Sequence, residues 1–217
     1  MARPALPRLT RRVPLVLIAL LAAMTGIEAA LSAADLGWIG SRRWRSLAYQ
    51  YGAFWPGLLE TWAPNYRGQA AAMFVTYAGL HAGLEHLAGN VIALWSLGSV
   101  VTERIGQRGF AAVFALTSLG GALCFAALSP GLTPMVGASG AVFGLAGLWL
   151  GWQWQERRPG WRDPARIAAI AAGLVALNLV LHAWYDGGLA WQTHLGGFAV
   201  GLALAGWLGR PDPARQG

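Results

Sequence analysis

Three short stretches of this chain place nucleophilic, basic and amide side chains among apolar residues. His81, His86 and Asn90 lie in the run HAGLEHLAGN, Ser139 in GASGAVFGLAG, and His194 in THLGGFAVG. A serine hydroxyl becomes a useful nucleophile when a base within hydrogen-bonding reach takes its proton, and histidine is the side chain most often used for this. Ser139 and His194 are therefore a candidate pair. Taken singly, each has a plainer reading: a Ser in an apolar helix bonds back to its own backbone, and a lone His packs between helices. What raises the pair above those readings is where the elements place it.

The composition describes those elements. Of 217 residues, 56% are hydrophobic and only 12% charged, against about a quarter charged in a soluble domain. Gly (30 residues) and Trp (12) are abundant. A membrane bundle uses both, Gly for close helix approach and Trp for the water–lipid boundary. Crossing a bilayer core takes roughly 20 apolar residues per helix. Six segments qualify: about Val13–Ala33, Gly83–Val101, Phe110–Leu128, Ser139–Trp154, Ile167–Trp184 and Trp191–Leu208. The expected fold is an all-α membrane protein, with a long aromatic first loop (35–82) of no obvious helical period.

The formal charge is +7 and every basic residue is Arg. The Arg residues sit in the gaps between apolar runs, which fits topology signals rather than a nucleic-acid surface. With a cytoplasmic N-terminus, 12 of the 16 fall inside: Arg3, Arg8, Arg11, Arg12, Arg104, Arg108, Arg157, Arg158, Arg162, Arg166, Arg210 and Arg215. The expected organisation is a cytoplasmic segment 1–12, a transmembrane domain 13–209 and a cytoplasmic tail 210–217, in a bacterial cell membrane. The first apolar run also resembles a secretory signal, but its length and Glu28 favour an uncleaved anchor. The single Cys124 has no partner for an intramolecular disulfide.

Helix arithmetic then brings the polar groups to one level. Counting from Gln155 and Arg210 as cytoplasmic ends, Ser139 and His194 each lie roughly 16 residues up, or about 24 Å. His86 lies at roughly 26 Å on the second helix, and Asn90 is one turn deeper on the same face. Strongly polar groups at membrane depth are costly and usually functional. Gly140 and Gly144 on the fourth helix, and Gly197 and Gly201 on the sixth, are spaced for close packing. His182 and Asp186 are weaker candidates for a third member, near the interface. A small transporter using His and Asn as a polar path would call for inverted repeats or broken helices, and none is visible.

Together these segments resemble the rhomboid intramembrane serine proteases. The match is carried by His81, His86 and Asn90, by Gly137-Ala138-Ser139-Gly140 with Gly144, and by His194 with Gly197 and Gly201. Gly98 and Glu103-Arg104 add to it. The resemblance spans about Thr76 to Gly201 and implies a six-transmembrane-helix rhomboid-like bundle. It implies a Ser139–His194 dyad without an acid and without metal or cofactor. The oxyanion would be held by the Ser139 backbone N–H and the side chains of His86 and Asn90. Phe143 would orient the catalytic His, and His81, Gly137, Gly140, Gly197 and Gly201 would be structural. Substrates would be transmembrane helices of other membrane proteins, cut near the outer face; a catalytically silent relative that escorts such helices is the alternative. Oligomeric state is not legible. The pattern departs where the family often carries Trp-Arg: Ala72 and Met73 stand there, leaving Arg67 or Trp44-Arg45 as substitutes.

Overall fold

The computed structural model describes residues 14–129, 133–155, 163–184 and 190–208. The segments 1–12 and 210–217, the loop arginines Arg157, Arg158 and Arg162, and Asp186 lie outside the described residues. Seven α-helices are described: α1 (Leu15–Asp35), α2 (Trp44–Gly52), α3 (Gln69–Thr76), α4 (Leu84–Leu128), α5 (Ser139–Gln155), α6 (Pro164–Trp184) and α7 (Trp191–Leu208). Short 3-10 turns occupy Pro56–Leu59 and Tyr77–Gly79. There is no strand among the described residues, only one antiparallel bridge between Phe54 and Met135.

The segments read as separate helices over 83–101 and 110–128 lie on either side of a non-helical break at Gly106 within α4. The backbone there has φ 77° and ψ 171°, a conformation open to a residue without a Cβ. The charges between Glu103 and Arg108 fall at this break, where the apolar pattern is interrupted as well. The first loop, read as having no obvious helical period, contains short regular elements. It folds into α2, α3 and the two 3-10 turns, whose short lengths give little periodicity to read.

The helices bury stripes spaced three or four residues apart, as a 3.6-residue repeat requires. On α1 the buried positions are Leu17, Leu21, Met24, Glu28, Leu31 and Ala34. On α4 they run Leu87, Asn90, Leu94, Gly98, Val101 and, past the bend, Phe110 and Val113. These meet Leu145, Leu148 and Trp152 of α5 and Ala205 of α7 in one core. The Arg104 guanidinium sits 4.1 Å above the Trp152 ring, capping that core with a cation–π contact. A second cluster joins Phe54, Met73 and Tyr77 of the first loop to Phe125 and Met135, so the loop is seated on the bundle by its aromatics.

The outward surface is apolar as well. Ile92, Leu179 and Trp207 are 67%, 65% and 87% exposed. Water would penalise such a surface, and lipid would not. Among the described residues, α1 and α4 are long and apolar enough to cross a membrane.

Glu28 is fully buried on α1, and its partner comes from the loop. Arg45 Nη2 donates to Glu28 Oε1 at 2.7 Å, Nη1 donates to Oε2 at 3.0 Å, and Nε donates to Asp35 at 2.6 Å. Arg45 Nη1 also reaches the His81 carbonyl at 3.1 Å, which takes the Tyr49 hydroxyl at 2.8 Å. The hydrogen bond to Glu28 leads in holding the Arg45 guanidinium above even its usual range. Arg67 is exposed, so Arg45 is the arginine that ties the loop to the bundle. Arg45→Ala leaves a buried carboxylate without its cation, a change that typically costs about 3–5 kcal/mol. The expected result is a marked drop in the thermal unfolding midpoint in detergent; an unchanged midpoint would show that the ion pair contributes nothing.

Candidate active site

Ser139 is the first residue of α5 and is half-buried. The turn that delivers it is built by backbone contacts to the first loop. Phe54 and Met135 exchange N–H···O bonds of 3.0 and 2.9 Å, and the Gly137 N–H donates to the Tyr77 carbonyl at 3.0 Å. Gly137 has φ 117°, and a Cβ there would lie 2.6 Å from His86 Cε1. Both facts require glycine at that position. The first-turn N–H groups of a helix have no intrahelical acceptor, so the Ser139 N–H is available to an anion beside its own hydroxyl.

His194 sits in the first turn of α7 and is 2% exposed. Its Nε2 lies 2.8 Å from Ser139 Oγ. Its ring stacks on Phe143, with centroids 4.2 Å apart and planes 7° from parallel. The other ring nitrogen, Nδ1, lies 2.6 Å from Asn178 Oδ1 on α6.

The glycines explain how the pair meets. A Cβ at Gly197 would run into the Gly140 carbonyl, and one at Gly201 into the Gly144 carbonyl. Further along, Gly147 lies against the Phe198 carbonyl and Gly151 against Ala205. Contacts that advance together along both chains mean that α5 and α7 run parallel with their backbones touching. Two helices in this register bring Ser139 and His194, one turn or less from the first glycine contact, to the same end. α4 closes the other side of α7, where Gly196 meets the Gly120 carbonyl and Cys124.

His86 and Asn90 share one face of α4. The Asn90 amide donates to the His86 carbonyl at 2.9 Å, and Asn90 is buried. The Ala82 N–H lies 3.3 Å from His86 Nδ1. As acceptor, Nδ1 leaves the proton of the neutral ring on Nε2, the atom facing Gly137, where a Cβ would lie 2.8 Å away. His86 thus offers an N–H to the segment that leads into Ser139. His81 packs edge-on against His86 at 5.3 Å between centroids and is fully buried. Glu85 is exposed. The side chain of His182, like Asp186, lies outside the described residues.

The sequence reading did not single out Asn178 or the Arg45–Glu28 pair. Asn178 carries no charge and belongs to no motif. Its signal was its level: it stands roughly 14 residues beyond Pro164, about 21 Å along α6, close to that of Ser139.

A helical bundle with an apolar exterior, holding a serine hydroxyl on a buried imidazole, is the architecture of an integral membrane protein with hydrolase-type chemistry at its site. The chain belongs to the rhomboid family: the family model described as Rhomboid domain matches residues 68–211. It is 31% identical over 138 residues to Rhomboid protease GluP of Bacillus subtilis (strain 168), covering 64% of this chain and 26% of that protein. It is 29% identical over 138 residues to Rhomboid protease GlpG of Klebsiella pneumoniae, covering 61% and 46%. It is also 31% identical over 148 residues to Rhomboid-like protein 11, chloroplastic, of Arabidopsis thaliana, covering 62% and 51%. The matched region is thus between about a quarter and a half of each of these relatives' lengths.

Proposed function

We propose that the chain is an intramembrane serine endopeptidase that cleaves transmembrane helices of other membrane proteins near the outer face of a bacterial cell membrane. The observation that carries this reading is the 2.8 Å contact between Ser139 Oγ and His194 Nε2 in a chain of the rhomboid family. The topology that goes with it has six crossings within 13–209, counting α4 as two on either side of Gly106. The segments 1–12 and 210–217 then lie in the cytoplasm.

In this mechanism Ser139 Oγ attacks the scissile carbonyl carbon as His194 Nε2 takes its proton. The carbonyl oxygen becomes an oxyanion, held by the Ser139 N–H and the side chains of His86 and Asn90. Collapse of the intermediate breaks the C–N bond, and the imidazolium gives its proton to the leaving amine. Water then attacks the acyl ester, with Nε2 as base, releasing the carboxylate and restoring the serine. No metal or cofactor enters. Irregular backbone at 133–138 is tolerated at membrane depth because the first loop covers it, and Ser139 is not fully buried.

A fluorophosphonate probe tests the assignment, since it labels only an activated serine. Wild type is expected to be labelled and Ser139→Ala not. Equal labelling of both would remove Ser139 as nucleophile, and labelling of neither would favour a silent, helix-binding protein.

A further inference from the structure

The geometry points to Asn178 as a positioning residue that fixes the tautomer and plane of His194, making the dyad a Ser–His–Asn triad. This rests on the proteolytic reading above. Three contacts carry it. Asn178 Nδ2 donates to the Leu174 carbonyl one turn back, at 2.9 Å. That bond orients the amide, leaving Oδ1, a pure acceptor, on the other side. Oδ1 lies 2.6 Å from His194 Nδ1, and an acceptor at that distance requires the proton to be on Nδ1.

In the neutral ring Nε2 then carries the lone pair, and Nε2 is the atom 2.8 Å from Ser139 Oγ. Base and hydroxyl are thereby matched before substrate arrives. Phe143 holds the ring plane by stacking, but a stacked ring leaves both tautomers equally accommodated. Asn178 supplies the discrimination that Phe143 does not. A neutral amide makes this contact without a formal charge in an apolar bundle, and a carboxylate in its place would have the His194 ring as its hydrogen-bonding partner. An Asn on the second ring nitrogen serves the same end in Cys–His–Asn hydrolases on an unrelated fold.

The role separates from simple packing because it depends on an acceptor oxygen. Asn178→Leu keeps the size and removes the acceptor, while Asn178→Asp keeps both size and acceptor. In the full chain, reconstituted with a transmembrane model substrate, Asn178→Leu is expected to lower kcat about 10- to 100-fold with KM within twofold of wild type. That is milder than the roughly 10⁴-fold loss when a triad enzyme is locked in the wrong tautomer, since Asn178→Leu leaves part of the ring population correct. Asn178→Asp is expected to recover most of the rate. Ring ¹⁵N shifts of His194, assigned by their absence in His194→Ala, should show Nδ1 protonated in wild type and a mixed population in Asn178→Leu.

A wild-type kcat in Asn178→Leu, an Asn178→Asp as slow as Asn178→Leu, or an Nε2-protonated ring in wild type would each overturn the inference. Retained turnover in Ser139→Ala or His194→Ala, assayed beside them, would instead overturn the proteolytic reading. The ring shifts report on the Asn178 contact independently of turnover.

Discussion

Replacing His194 with alanine will reduce turnover of a transmembrane model substrate at least about 10³-fold, to the level of Ser139→Ala. General-base assistance contributes typically 10²–10⁴ in rate, and a nucleophile and base that act as a unit lose nearly everything when either is removed. The 2.8 Å contact makes the imidazole the only described base bonded to Ser139 Oγ, so no described neighbour takes over the proton. The oxyanion donors are different. Loss of one donor typically costs about 10²–10³, and in the proposed mechanism three share the task, so His194→Ala should be the more severe change. The missing ring leaves a cavity against Phe143, which lowers stability by about 2–4 kcal/mol. Turnover must therefore be compared below the unfolding midpoint of the variant. A variant that is folded and still turns over within tenfold of wild type would remove His194 from the mechanism.

The elements that carry this site were legible in unequal degree. α7 begins where its apolar run does, at Trp191, and is described to Leu208, and α5 begins at Ser139 as expected and is described to Gln155. Both are bounded by abrupt changes of polarity and by turn residues. The Gly spacing also read correctly, because close helix contact leaves a local signature: a small residue every fourth position.

What could not be read depended on distant partners. Glu28 looks like a defect in an apolar helix until Arg45, 17 residues later, is folded onto it. The first-loop helices are set by Phe54, Met73 and Tyr77 reaching Phe125 and Met135, contacts invisible to a periodicity window. Asn178 was overlooked for a chemical reason. His182 and Asp186 nearby are ionisable and stand out in an apolar stretch, whereas a neutral amide does not, although a neutral acceptor is less costly to bury.

Gly197→Ala adds a single methyl group and is expected to damage the site about as much as loss of one oxyanion donor typically does. The new Cβ would overlap the Gly140 carbonyl and lie 2.7 Å from its carbon and 3.2 Å from its Cα. All three are backbone atoms in the first turn of α5, so no side chain can rotate away. The helices must part by about an ångström to reach ordinary van der Waals separation. Ser139 adjoins Gly140, and His194 lies one turn before Gly197, so the parting falls on the 2.8 Å bond between them. A 1 Å misplacement of reacting groups can cost on the order of 10² in rate, and overpacking a close interface costs about 1–3 kcal/mol of stability. Gly206→Ala on the same helix is the control, since nothing lies within 4 Å of its added Cβ. Measured together, Gly197→Ala should lose about 10² in kcat and several degrees of unfolding midpoint, and Gly206→Ala neither. If Gly197→Ala keeps the wild-type rate, the hydroxyl and imidazole do not depend on backbone contact between α5 and α7, and the physical basis for their meeting must lie elsewhere.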